Sequence, residues 1–430
     1  MGYHMHLFLA GRFSGRPAMV LSKAAAVAVA IMFTFLVGCG DTFRPVSNPI
    51  SGPGGDPSGS VEHAIILGDN GTNPGTTTHF DVSGDTAVAV ENVGVNPVHA
   101  AIIGGQIVVA NESLTNPSLS SLSVYPVTAG PNASVQTISL ATKDAKNNPL
   151  PLAQAVFVAS TDNTNIYVAQ IGQNSVGVVP LASNPLAETS VILDASISNP
   201  VAIAQLPGGG KVYVANGGGK VTVIDPTLFT ASNPAAAIKT SLTVENTPSA
   251  IVASADGNCL YVANKGSNTV SVINATNDTV NATHITVGGG PSFLRFDPKL
   301  QRVYVVNNSG NSISIINHAA DCSASTATTV AVGTAPTSVA ALSDGTRAYI
   351  SNSGDNTVSV LITSSNTIRK TIAVGMNPVS IGSSADGTKV VVANRNSGNI
   401  SIIRTSDDTV AATPAATPLG PNPQFVLMNP

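Results

Sequence analysis

The clearest candidate for chemistry in this chain is a single cation inside an apolar run. Arg295 lies in the segment SFLRF, residues 292–296, and a guanidinium can hold a carboxylate or a phosphate by two parallel hydrogen bonds. The competing interpretation is a structural ion pair with Asp297. His99 is a second candidate, for which the alternative is a histidine buried and satisfied in the core.

Three further charged residues stand in loops that follow short apolar strands: Lys265, Asp355 and Arg395. Loops that a rigid scaffold positions carry a large share of binding residues. These three are therefore candidates for contact with a partner, and a solvated loop charge is the alternative interpretation of each.

Metal and cofactor chemistry find little support in the residue spacing. No CxxC or CxxCH motif occurs, which argues against a zinc knuckle and against covalently attached haem. There is no Trp and no GxSxG elbow in a strand-turn-helix context. The sequence predicts no metal site, no cofactor and no catalytic residue. The histidines are scattered: His4, His6, His63, His79, His99, His284 and His318.

The N-terminus has the parts of an export signal. Arg12, Arg16 and Lys23 precede an apolar run at 24–37, which is short for a bilayer span. The run ends in LVGC, which resembles a bacterial lipobox and implies a lipid on Cys39. We predict a signal peptide at 1–38, a lipidated Gly/Pro/Ser-rich tether at 39–60 and a folded domain at 61–430. The expected location is the cell membrane or outer membrane, facing the periplasm or the cell exterior.

The charge balance argues against nucleic acid as a partner. Charged residues make up 10% of the chain, far below the roughly 25% of ordinary domains. Without residues 1–38 the chain has 16 Lys and Arg against 23 Asp and Glu, a net charge of −7. A phosphate-binding surface needs clustered positive charge, and the sequence has no basic run.

A repeat of about 40–50 residues determines the fold. Five times, a proline is followed sixteen residues later by the Asn that ends a short apolar strand. These strands are VYVAN, LYVAN, VYVVN, AYISN and VVVAN. Turns of the Asp-Gly type and third strands such as VSVIN complete each unit. Four short antiparallel strands per unit are typical of a β-propeller blade, so we predict an all-β propeller. Seven complete units are predicted to begin at Pro97, Pro151, Pro200, Pro248, Pro291, Pro336 and Pro378.

An eighth blade is predicted to close across the two ends of the chain. Pro423 opens a first strand, PQFVLM, after which the chain has no room for a second. The segment HAIILGD at 63–69 resembles a second strand, with Asp69 at the Asn position. Pairing of the two would leave no free sheet edge. Eight blades are favoured, and seven remain open if residues 61–96 pack outside the ring.

The YVAN strand followed by VSVIN resembles the YVTN family of β-propeller repeats. It is also similar to lactonase-like and quinoprotein-amine-dehydrogenase-like propellers. The resemblance implies a secreted or surface propeller and brings no catalytic residue with it. The recurrent Tyr is expected to pack between blades. The terminal Asn is expected to bond its own turn and to accept a left-handed backbone.

Departures from the repeat are the places where function is expected. The first strands of the blades line the central channel of a propeller. At the position four residues after each opening proline, seven of the eight residues are apolar and the eighth is Arg295. The eight residues are Ala101, Ala155, Ala204, Val252, Arg295, Ala340, Gly382 and Leu427.

Cys259 and Cys322 lie in turns on one face of neighbouring blades. Export permits a disulfide between them, and the sequence leaves the pairing open.

Two functions from different classes are carried forward. The favoured hypothesis is a lipid-anchored scaffold that binds a protein, peptide or glycan at the cell envelope without catalysis. The alternative is a lactonase-like or lyase-like enzyme with its site in the channel, where Arg295 holds an anionic substrate. A redox propeller with a non-covalent cofactor is a third and weaker hypothesis.

Overall fold

The computed structural model describes residues 63–113, 116, 119–128, 133–323, 325–411 and 420–429. These residues form eight antiparallel sheets, which we number as blades 1 to 8 in chain order. The predicted signal peptide, Cys39 and the tether lie outside the described residues. No helix within the described part of the chain has the length and apolar character needed to cross a bilayer.

Blade 1 combines both ends of the chain, and the other blades are continuous. Blade 1 contains β1 His63–Asn70, β2 Asn73–Asp81, β3 Thr86–Val95 and β33 Pro423–Met428, and blade 2 contains β4 Pro97–Ile103, β5 Gln106–Asn111, β6 Ser121–Pro126 and β7 Gln136–Ser139. Blade 3 contains β8 Ala155–Ala159, β9 Asn165–Gln170, β10 Ser175–Pro180 and β11 Ser190–Leu193. Blade 4 contains β12 Pro200–Gln205, β13 Val212–Asn216, β14 Lys220–Ile224 and β15 Ile238–Thr243. Short 3-10 turns occur at Ile171–Gln173, Pro226–Leu228 and Pro234–Ala237.

Blades 5 to 8 follow the repeat most regularly. Blade 5 contains β16 Pro248–Ala253, β17 Cys259–Asn264, β18 Thr269–Asn274, β19 Thr279–Val280 and β20 Ile285–Thr286. Blade 6 contains β21 Pro291–Asp297, β22 Arg302–Asn307, β23 Ser312–Asn317 and β24 Thr328–Ala331, and blade 7 contains β25 Pro336–Ala341, β26 Arg347–Asn352, β27 Thr357–Ile362 and β28 Thr367–Ala373. Blade 8 contains β29 Pro378–Ser383, β30 Lys389–Asn394, β31 Asn399–Arg404 and β32 Thr409–Val410. In blade 5, β19 and β20 both pair with β18 and share the place of a fourth strand.

The ring closes through strand β33, which confirms the prediction of eight blades with a split first blade. The strand order in blade 1 is β3-β2-β1-β33. Each first strand contacts the first strand of the next blade, and β33 contacts β4. One detail of the prediction is wrong: Pro423 lies opposite Gly68, so Gly68 and not Asp69 holds the Asn position.

Blade 3 begins later than its nearby proline suggests. Ala155, not Pro151, pairs with Gln170 at the end of the second strand. A left-handed residue precedes every first strand, and in blade 3 that residue is Gln154, with φ of 51°. The predicted start at Pro151 is therefore wrong, because the backbone turn marks the start and the proline does not. The other residues at this position are Asn96, Asn199, Thr247, Gly290, Ala335, Asn377 and Asn422.

The repeated asparagine is a buried link between strands, and not the turn former we expected. Asn264 and Asn307 are both fully buried. In blades 5 to 8 the side-chain Nδ2 donates to a serine hydroxyl seven residues later, at 2.9 to 3.0 Å. The last glycine of the preceding blade lies against this amide, since a Cβ on Gly375 would come within 2.7 Å of Asn394. The recurrent Val-Gly motif is explained by this close approach.

Among the described residues, four of the eight interfaces between neighbouring blades contain what we call the interblade pair. One member stands at the start of a second strand, and the other is a left-handed residue in the turn between strands three and four of the next blade. Three pairs are ionic: Lys211–Asp278 at 2.6 Å, Arg347–Asp408 at 2.6 Å and Lys389–Asp85 at 2.7 Å. The fourth is the disulfide Cys259–Cys322, with Cα atoms 5.6 Å apart. The disulfide therefore occupies the position of an ion pair.

The recurrent tyrosines pack between blades as predicted and also bond across the interface. Tyr213 and Tyr349 are fully buried. Their hydroxyls donate to Asp278 and Asp408 respectively, each at 2.6 Å. Burial, with the adjacent carboxylate, raises the pKa of both phenols. Both tyrosines therefore remain neutral donors and hold the same aspartates as the interblade pairs.

Glu188 replaces the buried serine in blade 3. The position seven residues after Gln170 is Gly177, and the Glu188 carboxylate fills the space that a side chain would take. Its two oxygens accept from the Gln170 side-chain amide and from the Ala141 backbone N–H. Burial raises the pKa of Glu188 to about 7, although both hydrogen bonds oppose the shift.

We expect Glu188 to contribute less to the stability of the protein as the pH rises from about 4.5 to 7. The folded protein holds the Glu188 proton across this range and the unfolded chain releases it, because the pKa is raised on folding from 4.5 to about 7. The loss is on the order of 1–3 kcal/mol. Denaturant unfolding at several pH values measures it. The double variant Gly177→Ser/Glu188→Ala restores the repeat and should remove this part of the slope; an unchanged slope would refute the assignment.

Candidate functional site

Arg295 lies on the innermost strand of blade 6, on the face turned toward blade 7. It pairs with Tyr304 on the second strand, so the two side chains share one face of the sheet. Phe293 and Tyr304 on that face pack against Val339 and Ala341 of blade 7. The Arg295 side chain therefore leaves the core where two blades meet at the centre of the ring.

The equivalent positions confirm that Arg295 is an exception among the eight blades. In blade 3 the register places Ala159 opposite Tyr167, so Ala159 and not Ala155 is the counterpart of Arg295. The aliphatic counterparts are at most 9% exposed, whereas Arg295 keeps contact with solvent. The corrected set is Ala101, Ala159, Ala204, Val252, Ala340, Gly382 and Leu427.

The Arg295 guanidinium has no hydrogen bond or ion pair with any residue that the structure describes. Burial lowers its pKa, and the charge of Asp297 opposes that shift. A partly desolvated cation attracts an anion more strongly than one in bulk water. The environment suits Arg295 to an anionic group that comes from outside the protein.

Asp297, Arg302 and Tyr304 lie beside Arg295 on the same face of blade 6. Asp297 is 3% exposed, and its Oδ1 accepts from the backbone N–H groups of Lys299 and Leu300 at 2.9 and 3.0 Å. Its Oδ2 and the Tyr304 hydroxyl make no hydrogen bond of normal geometry with the described residues, but Asp297 and Arg302 lie close enough to this hydroxyl to shift the pKa of the phenol in opposite directions. Asp297 thus stabilises a turn and contributes long-range attraction, and the direct ion pair with Arg295 is not formed. Sequence reasoning treated Tyr304 as packing alone; its position opposite Arg295 in the strand register was the signal.

His99 lies in the core between blades 2 and 3. It is fully buried, and its ring stacks on Phe157 with centroids 3.9 Å apart. Its Nδ1 accepts from the backbone N–H of Val158 at 3.3 Å. These contacts match the alternative of a core histidine, while a ligand-binding role for His99 stays a prediction.

The three loop charges lie on one face of the ring but belong to three different blades. Asp355 accepts from the backbone N–H of Thr334 at 2.5 Å, which lowers the pKa of its carboxyl. Arg395 lies 4.0 Å from Asp69 of blade 1. The backbone N–H of Lys265 donates to Thr247 in the preceding linker at 2.9 Å. The structure does not bring these side chains together, and their role in partner contact stays a prediction.

Groups of three or more His, Cys, Asp or Glu with metal-ligand spacing are not found within the described residues.

Solved structures with the same fold come from several functional classes. A candidate 6-phosphogluconolactonase from Bacteroides uniformis has a TM-score of 0.58 at 14% identity, over 86% of this chain and 100% of the other. Apo AztD from Citrobacter koseri has a TM-score of 0.60 at 10% identity, over 86% and 99%. Dihydro-heme d1 dehydrogenase NirN has a TM-score of 0.62 at 11% identity, over 90% and 78%. At these identities the likeness shows the fold alone.

No curated protein matches the sequence significantly. The family model described as lactonase, 7-bladed beta-propeller matches residues 69–318 and 278–428. The match spans the propeller from the second strand of blade 1 to the last strand, although the ring here has eight blades. The chain belongs to the lactonase family of β-propellers.

Proposed function

We propose that the protein binds a small anionic sugar acid or its lactone in the central channel, with Arg295 as the anion-binding residue. The observation that carries this proposal is the unpartnered, partly desolvated guanidinium at a position that is uncharged in the other seven blades. Arginine suits this role because its planar fork matches carboxylate and phosphate geometry.

The proposed reaction is hydrolysis of the lactone ring. Water adds to the carbonyl carbon, the ring C–O bond breaks, and the product is the open-chain hydroxy acid. Family membership supports this reaction, as does the structural likeness to a candidate 6-phosphogluconolactonase in fold. In this proposal Arg295 orients the substrate through its anionic group, and no residue is assigned as the base.

The second candidate is binding without catalysis, as a scaffold for a protein, peptide or glycan. One observation favours it: Asp297, the acid nearest to Arg295 along the strand, is 3% exposed and has one oxygen committed to a turn. A general base must reach the water that it activates, and Asp297 is poorly placed for that.

Hydrolysis of 6-phosphoglucono-δ-lactone above its spontaneous rate tests the proposal. The wild type should prefer this substrate to uncharged glucono-δ-lactone, and Arg295→Met should lower kcat/KM by roughly 10- to 100-fold, the value of one or two charged hydrogen bonds. Arg404→Met, on the exposed end of β31, is the matched control. No hydrolysis by the wild type would reject the enzymatic function, and equal rates for Arg295→Met would reject the channel site.

We also propose that a lipid on Cys39 holds the propeller at the cell envelope. The LVGC motif after the apolar run supports this anchor. The wild type should partition into the detergent phase on phase separation and Cys39→Ser into the aqueous phase. Identical partitioning of the two would reject the anchor.

A further inference from the structure

The interface between blades 2 and 3 is one of four at which the described residues form neither an ionic interblade pair nor the disulfide. At the start of the second strand, blade 2 has Gln106 where blades 4 and 7 have Lys211 and Arg347. Four residues after strand three, blade 3 has Asn184 where blade 5 has Asp278. Both substitutes are uncharged.

The turn between strands three and four of blade 3 is also longer than those of blades 5, 7 and 8. It runs from Pro180 to Thr189, two residues more than the corresponding Asn274–Asn281 turn of blade 5. Asn184 is followed by a cis peptide bond to Pro185, and it does not adopt the left-handed backbone of Asp278. The longer turn carries Asn184 away from the position in which it would close the interface.

A cavity of about 510 Å³, widely open to solvent, lies between these two blades. This volume lies within the range of small-molecule sites in proteins, roughly 300–1,000 Å³. The amides of Gln106 and Asn184 line it together with Gln136 and Asn163, and Leu181 and Leu186 supply apolar surface. All of its lining residues are uncharged.

The polar groups in the cavity are mostly available to a ligand. Among the described residues, nothing bonds to the side-chain amides of Gln106 and Asn184. Gln136 donates through Nε2 to the Leu186 carbonyl at 2.8 Å, which leaves its Oε1 free to accept. Asn163 accepts through Oδ1 from the Gly104 N–H at 2.8 Å, which leaves its Nδ2 free to donate. Carboxamides offer both donors and acceptors without charge.

We propose that this cavity is a binding site for an uncharged carbohydrate of one or two rings. Hydroxyl groups both donate and accept, which matches four carboxamides, and the C–H faces of a sugar match the two leucines. An anion would find no positive charge in this lining, and a purely apolar ligand would leave the amides unsatisfied. The site is separate from Arg295 and does not depend on the proposed lactonase function.

Calorimetric titration of the purified full chain with neutral sugars tests this proposal. The probes are methyl glucoside, methyl mannoside, cellobiose and maltose, with glucose 6-phosphate and glucuronate as anionic comparisons. At least one neutral probe should bind with a Kd of roughly 10⁻³ to 10⁻⁵ M, as expected for a small ligand with few contacts. Binding should be unaffected by Arg295→Met.

Matched variants locate the binding. Ala182 lies on the exposed rim of the cavity, so Ala182→Trp should fill the site without disturbing the core and should weaken binding at least tenfold. Ala231→Trp, on an exposed alanine in the corresponding turn of blade 4, should bind like the wild type. The proposal is overturned if no neutral probe binds, if Ala182→Trp binds neutral probes like the wild type, or if the anionic sugars bind more tightly than the neutral ones to Arg295→Met, which lacks the proposed channel site.

Discussion

Loss of the Cys259–Cys322 disulfide should lower the free energy of unfolding by about 2–4 kcal/mol. The crosslink closes a loop with a sequence separation of 63 residues, and the loss of chain entropy in the unfolded state predicts about 4 kcal/mol for such a loop. The double variant Cys259→Ser/Cys322→Ser should therefore unfold at lower denaturant concentration than the oxidised wild type. Circular dichroism during urea unfolding, with and without reductant, measures the difference.

The repeat offers a replacement for this disulfide. Because Lys211–Asp278 holds the same position one blade earlier, Cys259→Lys/Cys322→Asp should recover part of the stability that the serine variant loses. Equal midpoints for oxidised wild type, reduced wild type and the serine variant would contradict the structural role of the crosslink. Free thiol titration on the purified, unreduced protein checks that the bond is formed.

Replacement of Asp408 by alanine should cost about 3–5 kcal/mol, the usual cost of breaking a buried ion pair by removing one partner. Asp408 is 1% exposed and accepts from the Arg347 guanidinium and from the Tyr349 hydroxyl, each at 2.6 Å. Its removal takes the acceptor from the buried Tyr349 hydroxyl and the carboxylate from the mostly buried Arg347, which keeps a hydrogen bond to the Thr405 carbonyl at 2.6 Å. Thermal and denaturant unfolding measure the loss.

The neighbouring residue is a matched control for this variant. Asp407 is exposed, and within the described residues its carboxylate accepts only from Thr409 in its own turn. Asp407→Ala should therefore cost no more than about 1 kcal/mol. If the two alanine variants were equally stable, the interblade pair would not be the link that holds blades 7 and 8 together.

The fold could be predicted because the repeated residues report the backbone geometry directly. A proline at the start of a strand and an asparagine at the end of the next strand recur in the regular blades, and the split blade followed from the same spacing. The prediction failed at blade 3, where alanine replaces the proline. It also failed at Gly68, where glycine replaces the asparagine.

Positions at which a repeated residue is replaced by one of a different chemical type were harder to predict. Glu188 is distant in sequence from the serine position that it fills, and no repeat alignment relates the two. The disulfide left a usable signal, because Cys259 aligns with Lys211 and Arg347, and Cys322 with Asp278 and Asp408. The cavity beside Gln106 depends on the length of one turn, and the sequence pattern does not show where the residues of that turn lie or how much volume they leave open.

The candidate site was predicted only in part. The exception at Arg295 was visible in the sequence, because the regular repeat supplied seven uncharged counterparts. The absence of an ion pair between Arg295 and Asp297 could not be predicted. The two residues are two positions apart on one strand and face the same side, which favours an ion pair, but Asp297 instead accepts from the backbone N–H of Lys299.

The central claim is that Arg295 holds an anion in the channel, and calorimetric titration with 6-phosphogluconate tests it most directly. This compound carries the anionic groups of the proposed ligand and is the expected hydrolysis product. One site per chain is predicted for the wild type, with a Kd that rises roughly 10- to 100-fold in Arg295→Met and stays unchanged in Arg404→Met. Absence of binding to the wild type, or equal affinity for wild type and Arg295→Met, would contradict the account.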